Sequence, residues 1–69
     1  MPTVNVTLPK GAWTPEDNAK LVEEVTAAVA RAAVTTGKVP DVETIIPMVS
    51  VQVHETAQGG YAAGGKIFG

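Results

Sequence analysis

The sequence predicts an α/β fold of the mixed α+β kind: a β-α-β unit with parallel strands, then a C-terminal glycine-rich hairpin. Two short stretches alternate apolar and polar residues, as strands with one buried face do. Between them runs a long stretch whose apolar residues recur at spacings of three and four, as in an amphipathic helix. A helix crossing between two strands of one sheet requires those strands to run parallel, with a right-handed crossover.

The first strand is Pro2 to Leu8, where Val4, Val6 and Leu8 alternate with Thr3, Asn5 and Thr7. Pro9-Lys10-Gly11 ends it, because proline donates nothing to a ladder and glycine suits a turn. Thr14-Pro15-Glu16-Asp17 opens the helix: Thr14 caps, Pro15 fits the first helical position and Asp17 completes a capping box. Both acids also favour the positive end of the helix dipole. Leu21, Val25, Ala28, Val29 and Ala32 form the expected apolar stripe, with Asp17, Lys20, Glu23, Glu24 and Arg31 mostly off it. Thr35-Thr36-Gly37 closes the helix, Gly37 serving as a left-handed cap. Arg31, in the last turns, is expected to favour the helix C-terminus.

Pro40-Asp41-Val42-Glu43 reads as a turn or one turn of 3₁₀ helix, and Pro47 after Ile45-Ile46 delays any strand. Val49, Val51 and Val53 then alternate with Ser50, Gln52 and His54 in a second strand. Gly59-Gly60-Tyr61-Ala62-Ala63-Gly64-Gly65 is too glycine-rich for a helix and reads as a loop or short hairpin.

With 69 residues the chain is one domain, 1–69, at the lower edge of independent folding. Small domains are commonly reinforced by disulfides, metals or association. Cysteine is absent and a lone histidine builds no zinc site without carboxylate help. Apolar residues make up 45% and charged ones 17%, so a homo-oligomer is expected, meeting its partner through an uncovered sheet face or edge. Five basic against seven acidic residues and three aromatics argue against a nucleic-acid partner. No apolar run approaches the ~20 residues of a membrane span. Met1-Pro2-Thr3 lacks the basic and apolar regions of a signal peptide, so a cytoplasmic protein is expected.

Pro2 is the leading chemical candidate. Removal of Met1 would leave it a free secondary amine, both base and nucleophile, which no side chain supplies. An ordinary α-amino group titrates near ~7.7–8.0, and burial or a nearby cation disfavours its charged form. Such an amine can move a proton between carbon and oxygen.

Pro2-Thr3-Val4-Asn5-Val6 at one end, the Thr14-Pro15-Glu16-Asp17 helix start, and Glu55-Thr56-Ala57-Gln58-Gly59-Gly60-Tyr61-Ala62-Ala63-Gly64-Gly65 at the other resemble the tautomerase superfamily. The short 4-oxalocrotonate tautomerase-like branch is the nearest in pattern. That resemblance implies a trimer of dimers, thus a hexamer, built on four-stranded sheets, with an active site around Pro2 shared between subunits. It implies a proton shuttle at Pro2 between enol and keto isomers, with no metal or cofactor. Tyr61 falls where the family usually has an aromatic wall.

Two arginines that hold substrate carboxylates in the family's best-known members are replaced here by Ala12 and Ser50. The resemblance therefore points to a mono-acid such as an arylpyruvate enol rather than a diacid. Residues Val39 to Met48 also form a longer connection than in the short members. Lys10 is a candidate replacement cation; its plainer reading is a solvated turn lysine. Ser50, Gln52 and His54 share one strand face and are candidates to line a polar pocket, against the plainer reading of His54 as an interface residue. The Tyr61 hydroxyl is a candidate to polarise a carbonyl, beside its reading as a bare aromatic wall. Gly60 to Lys66 mimics the start of a phosphate-binding loop, but Ile67 stands where Ser or Thr is required and no helix can follow.

The expected function is a cofactor-free tautomerase, an isomerase of a small-molecule carboxylate: a 2-keto acid of the 2-hydroxy-dienoate or arylpyruvate kind. The alternatives are hydratase or dehalogenase chemistry on an unsaturated acid, for which Glu55 is the one carboxylate to activate water, and a non-catalytic assembly module.

Overall fold

The computed structural model describes residues 1–68. Strand β1 is Thr3–Leu8, helix α1 is Pro15–Thr35 and a short helix α2 is Val42–Ile45. A 3₁₀ turn at Ile46–Met48 leads into β2, Ser50–Glu55, and two short strands follow, β3 at Ala62–Ala63 and β4 at Lys66–Ile67.

Strands β1 and β2 pair in parallel, with Thr3 opposite Ser50, Val4 opposite Val51, and so on to Leu8 opposite Glu55. The alternation works as its period requires. Val4, Val6, Val51 and Val53 are half-buried and Leu8 is buried, while Thr3, Asn5, Thr7, Gln52 and His54 are exposed on the other face.

Helix α1 begins on a complete capping box. The Thr14 hydroxyl accepts from the Asp17 N–H at 3.1 Å, and the Asp17 carboxylate accepts from the Thr14 N–H at 3.1 Å. At its end the Lys38 N–H donates to the Ala33 carbonyl (2.9 Å) and the Gly37 N–H to that of Val34 (3.0 Å), a Schellman closure around Gly37. The Thr36 hydroxyl satisfies the Ala32 carbonyl at 2.8 Å. Arg31 is not in the last turn, which holds no basic residue, so its expected help to the C-terminus fails: the dipole's influence fades beyond that turn.

The apolar stripe is also rolled from its expected position. Leu21, Val25 and Val29 face inward, but Ala28 and Ala32 are exposed; Val22, Ala30, Ala33 and Val34 take up the buried side. Hiding Val22 and Val34 removes more apolar area than hiding two alanines would, which decides the roll. Ala30 is fully buried, and α1 as a whole packs against β2, α2 and the 3₁₀ turn.

The connection is more helical than the sequence suggests. Asp41 caps α2, its Oδ1 accepting from the Thr44 N–H (3.0 Å) and hydroxyl (2.7 Å), and Ile45 is buried in the core. Pro47 sits inside the 3₁₀ turn, and the strand starts only at Ser50, as the proline requires.

The tail is a true hairpin, β3 pairing antiparallel with β4 across Gly64-Gly65. These glycines have φ of +59° and +82°, the left-handed pair a tight two-residue hairpin turn demands. The hairpin packs against no other described element of its chain. The radius of gyration is accordingly 14.8 Å, against about 11 Å for a compact chain of this length. Among the described residues only Leu8, Ala30 and Ile45 are buried apolar side chains, whereas Trp13, Ile46, Met48, Ile67 and Phe68 are exposed.

Candidate active site

Pro2 lies just before β1, half-buried, at the end of the sheet where both parallel strands begin. Its carbonyl accepts the Ser50 N–H at 2.9 Å, which fixes Pro2 beside the first residue of β2. Met1, which precedes it, is 88% exposed. Of the sequence-predicted site residues, Ser50 is the one that the fold brings to Pro2.

His54 shares the polar sheet face with Ser50 and Gln52, but opposite Thr7, four positions along β2. At ~3.3 Å per residue that is about 13 Å from Ser50. Lys10 lies beyond the far end of β1, so about 20 Å of strand separates it from Pro2. Tyr61 leads into the free-standing hairpin. Its ring meets Phe68 edge-on, centroids 6.4 Å apart at 72°, and the Phe68 N–H donates to the Tyr61 carbonyl at 2.7 Å. In one chain, then, Pro2 and Ser50 occupy one end of the sheet and Lys10 the other.

The far end has an order of its own. Gly11 adopts φ +73°, and its N–H donates to the Glu55 carboxylate at 3.1 Å, tying the turn after β1 to the last residue of β2. The Ala12 N–H donates to the Pro9 carbonyl at 3.3 Å within the same turn.

The family model described as "Tautomerase enzyme" matches residues 2–69. The chain belongs to the tautomerase family. No curated protein and no solved structure matches it. The parallel β-α-β unit and the small antiparallel hairpin agree with the tautomerase fold.

Within this tautomerase fold the two positions at which the resemblance leads one to expect arginine, Ala12 and Ser50, lie at opposite ends of the sheet. Ser50 is beside Pro2, while Ala12 sits in the Glu55-tethered turn with Lys10 two residues earlier. Among the described residues Lys10 makes no ion pair; the one present joins Lys20 to Glu24 on α1 at 3.4 Å. Trp13, which no motif in the sequence marks, is 39% exposed in the same turn. The signal that would have found it is the chain's only tryptophan lying between a turn glycine and a helix cap, where no core needs it. Among the described residues no trio of His, Cys, Asp or Glu gathers as metal ligands, one chain encloses no pocket, and no helix is long and apolar enough to cross a membrane.

Proposed function

We propose that this tautomerase is a cofactor-free isomerase that interconverts the enol and keto forms of a 2-keto acid, using the Pro2 amine as general base and then acid. The family match, running from Pro2 itself through the hairpin, carries the reading. Met1 itself makes little contact with the fold, being 88% exposed, so its removal would disturb no packing.

In the ketonising direction the free amine takes the proton of the enol hydroxyl. The O–H pair becomes part of the carbonyl, and the displaced C=C pair collects a proton at carbon from the pyrrolidinium. Nothing is oxidised and no group leaves, so the residues need only bind, orient and shelter the acid. Lys10 supplies the compact positive charge for the substrate carboxylate. Because Lys10 and Pro2 lie at opposite ends of one sheet, a site holding both draws on two copies of the chain, consistent with a homo-oligomer, the trimer of dimers of the short branch. Tyr61, leading into a hairpin that packs against no other described element of its chain, supplies the aromatic wall to another copy.

With neither arginine position filled, a mono-acid of the arylpyruvate kind is the substrate class we favour. The hydratase alternative loses support, since one oxygen of Glu55 is already engaged by the Gly11 N–H. The test is Pro2→Ala assayed on enolised phenylpyruvate. A positioned acid–base group is worth about 10²- to 10⁴-fold, and because alanine leaves a weaker amine in its place the reading predicts a fall in kcat/KM at the low end of that range, about 10²-fold. Equal, background-level rates in both forms would instead favour an assembly module without catalysis.

A further inference from the structure

The hydrogen bond between the Glu55 carboxylate and the Gly11 N–H stands apart from the other side-chain hydrogen bonds of the described residues. It spans 44 positions, whereas each of the others joins residues three or four apart. It is therefore the one side-chain bond that fixes how the turn after β1 sits on the sheet. On the other side of that turn the capping box pins Thr14 to Asp17. The segment from Lys10 to Trp13 is thus held at both ends while its side chains stay exposed.

We infer that Glu55 is a positioning residue: by holding the Gly11 N–H it orients the turn so that the Lys10 ammonium is presented to the substrate carboxylate. The inference rests on the reading of Lys10 given above. A carboxylate near an anion-binding group has two opposing effects. Its negative charge repels the incoming acid, whereas its hydrogen bond removes freedom from a turn that glycine would otherwise leave loose. Gly11, with φ +73°, has no Cβ to restrict it; the Ala12 N–H to Pro9 carbonyl bond closes the turn from within, and the Glu55 carboxylate ties it to β2.

The two effects separate on substitution. Glu55→Gln removes the charge and keeps an oxygen that can accept from Gly11. Glu55→Ala removes both. If positioning dominates, Glu55→Ala raises KM for enolised phenylpyruvate about five- to tenfold with kcat little changed, as loss of one hydrogen bond to a charged group implies. Glu55→Gln recovers most of that rise. In a Lys10→Ala background Glu55→Ala adds no further increase in KM, because its effect passes through Lys10. Equal KM values in Glu55→Ala and Glu55→Gln, a fall in KM for both, or full additivity with Lys10→Ala would overturn the inference. Amide hydrogen exchange at Gly11 supplies a readout independent of catalysis: protected in the parent and Glu55→Gln, unprotected in Glu55→Ala. If the parent shows no tautomerase activity the proposed function fails, whereas loss of the tether shows in the exchange rates alone. An unprotected Gly11 amide in the parent sinks the tether itself.

Discussion

Pro2 differs from every other group in the chain in that its chemistry depends on a covalent event. Inside a peptide its nitrogen is an amide with no basicity; released, it is a secondary amine. The carbonyl side of the residue is fixed by the Ser50 N–H at 2.9 Å. Alanine at this position leaves a primary amine in the same place, a weaker version of the same base, which is why Pro2→Ala is expected to be slow rather than inert. The candidate residue was legible in the sequence only through its company: Pro2 opens the first strand, and the Glu55 to Gly65 run closes the pattern that resembles the family. What the sequence did not show was which companions it keeps. Ser50 is adjacent because parallel register sets Thr3 against it, whereas Lys10 and His54 are separated from it by lengths of strand that no motif encodes.

The elements were mostly legible because their signals are local. Alternating valines define β1 and β2, and Thr14 with Asp17 marks the start of α1. Thr14→Ala removes the side-chain acceptor of that box and should cost about 1 kcal/mol. Urea unfolding would read this as a lower midpoint at unchanged slope, provided the assembly state is held constant. The roll of α1 was less legible. Two neighbouring stripes share Leu21, Val25 and Val29, and only packing against β2 and α2 selects the one that hides Val22 and Val34 over Ala28 and Ala32. The Glu55–Gly11 tether was invisible for a related reason: it joins two segments far apart in sequence, and the periodicity of each strand says nothing of it.

For the whole molecule, size and surface belong to one argument. Among the described residues three buried apolar side chains make a small core, while Ile67 and Phe68 stand exposed on a hairpin that touches no other described element. A second copy that covers this hairpin would gain its apolar area and, on the proposed function, bring Lys10 of one copy to Pro2 of another. The expected result is an oligomer at micromolar concentration whose Tm rises with protein concentration. Ile67→Glu should shift it toward monomer in light scattering and lower activity in parallel. A stable, active monomer would contradict this picture of the assembly.

The central claim concerns the liberated nitrogen of Pro2, and acylating it is the most direct test. Protein beginning at Pro2 and protein carrying one extra residue on that nitrogen, both verified by intact mass and both sized as the same oligomer, would be compared on enolised phenylpyruvate. The proposed mechanism predicts activity in the first and a loss of at least about a hundredfold in the second. Equal turnover by the acylated form would contradict it.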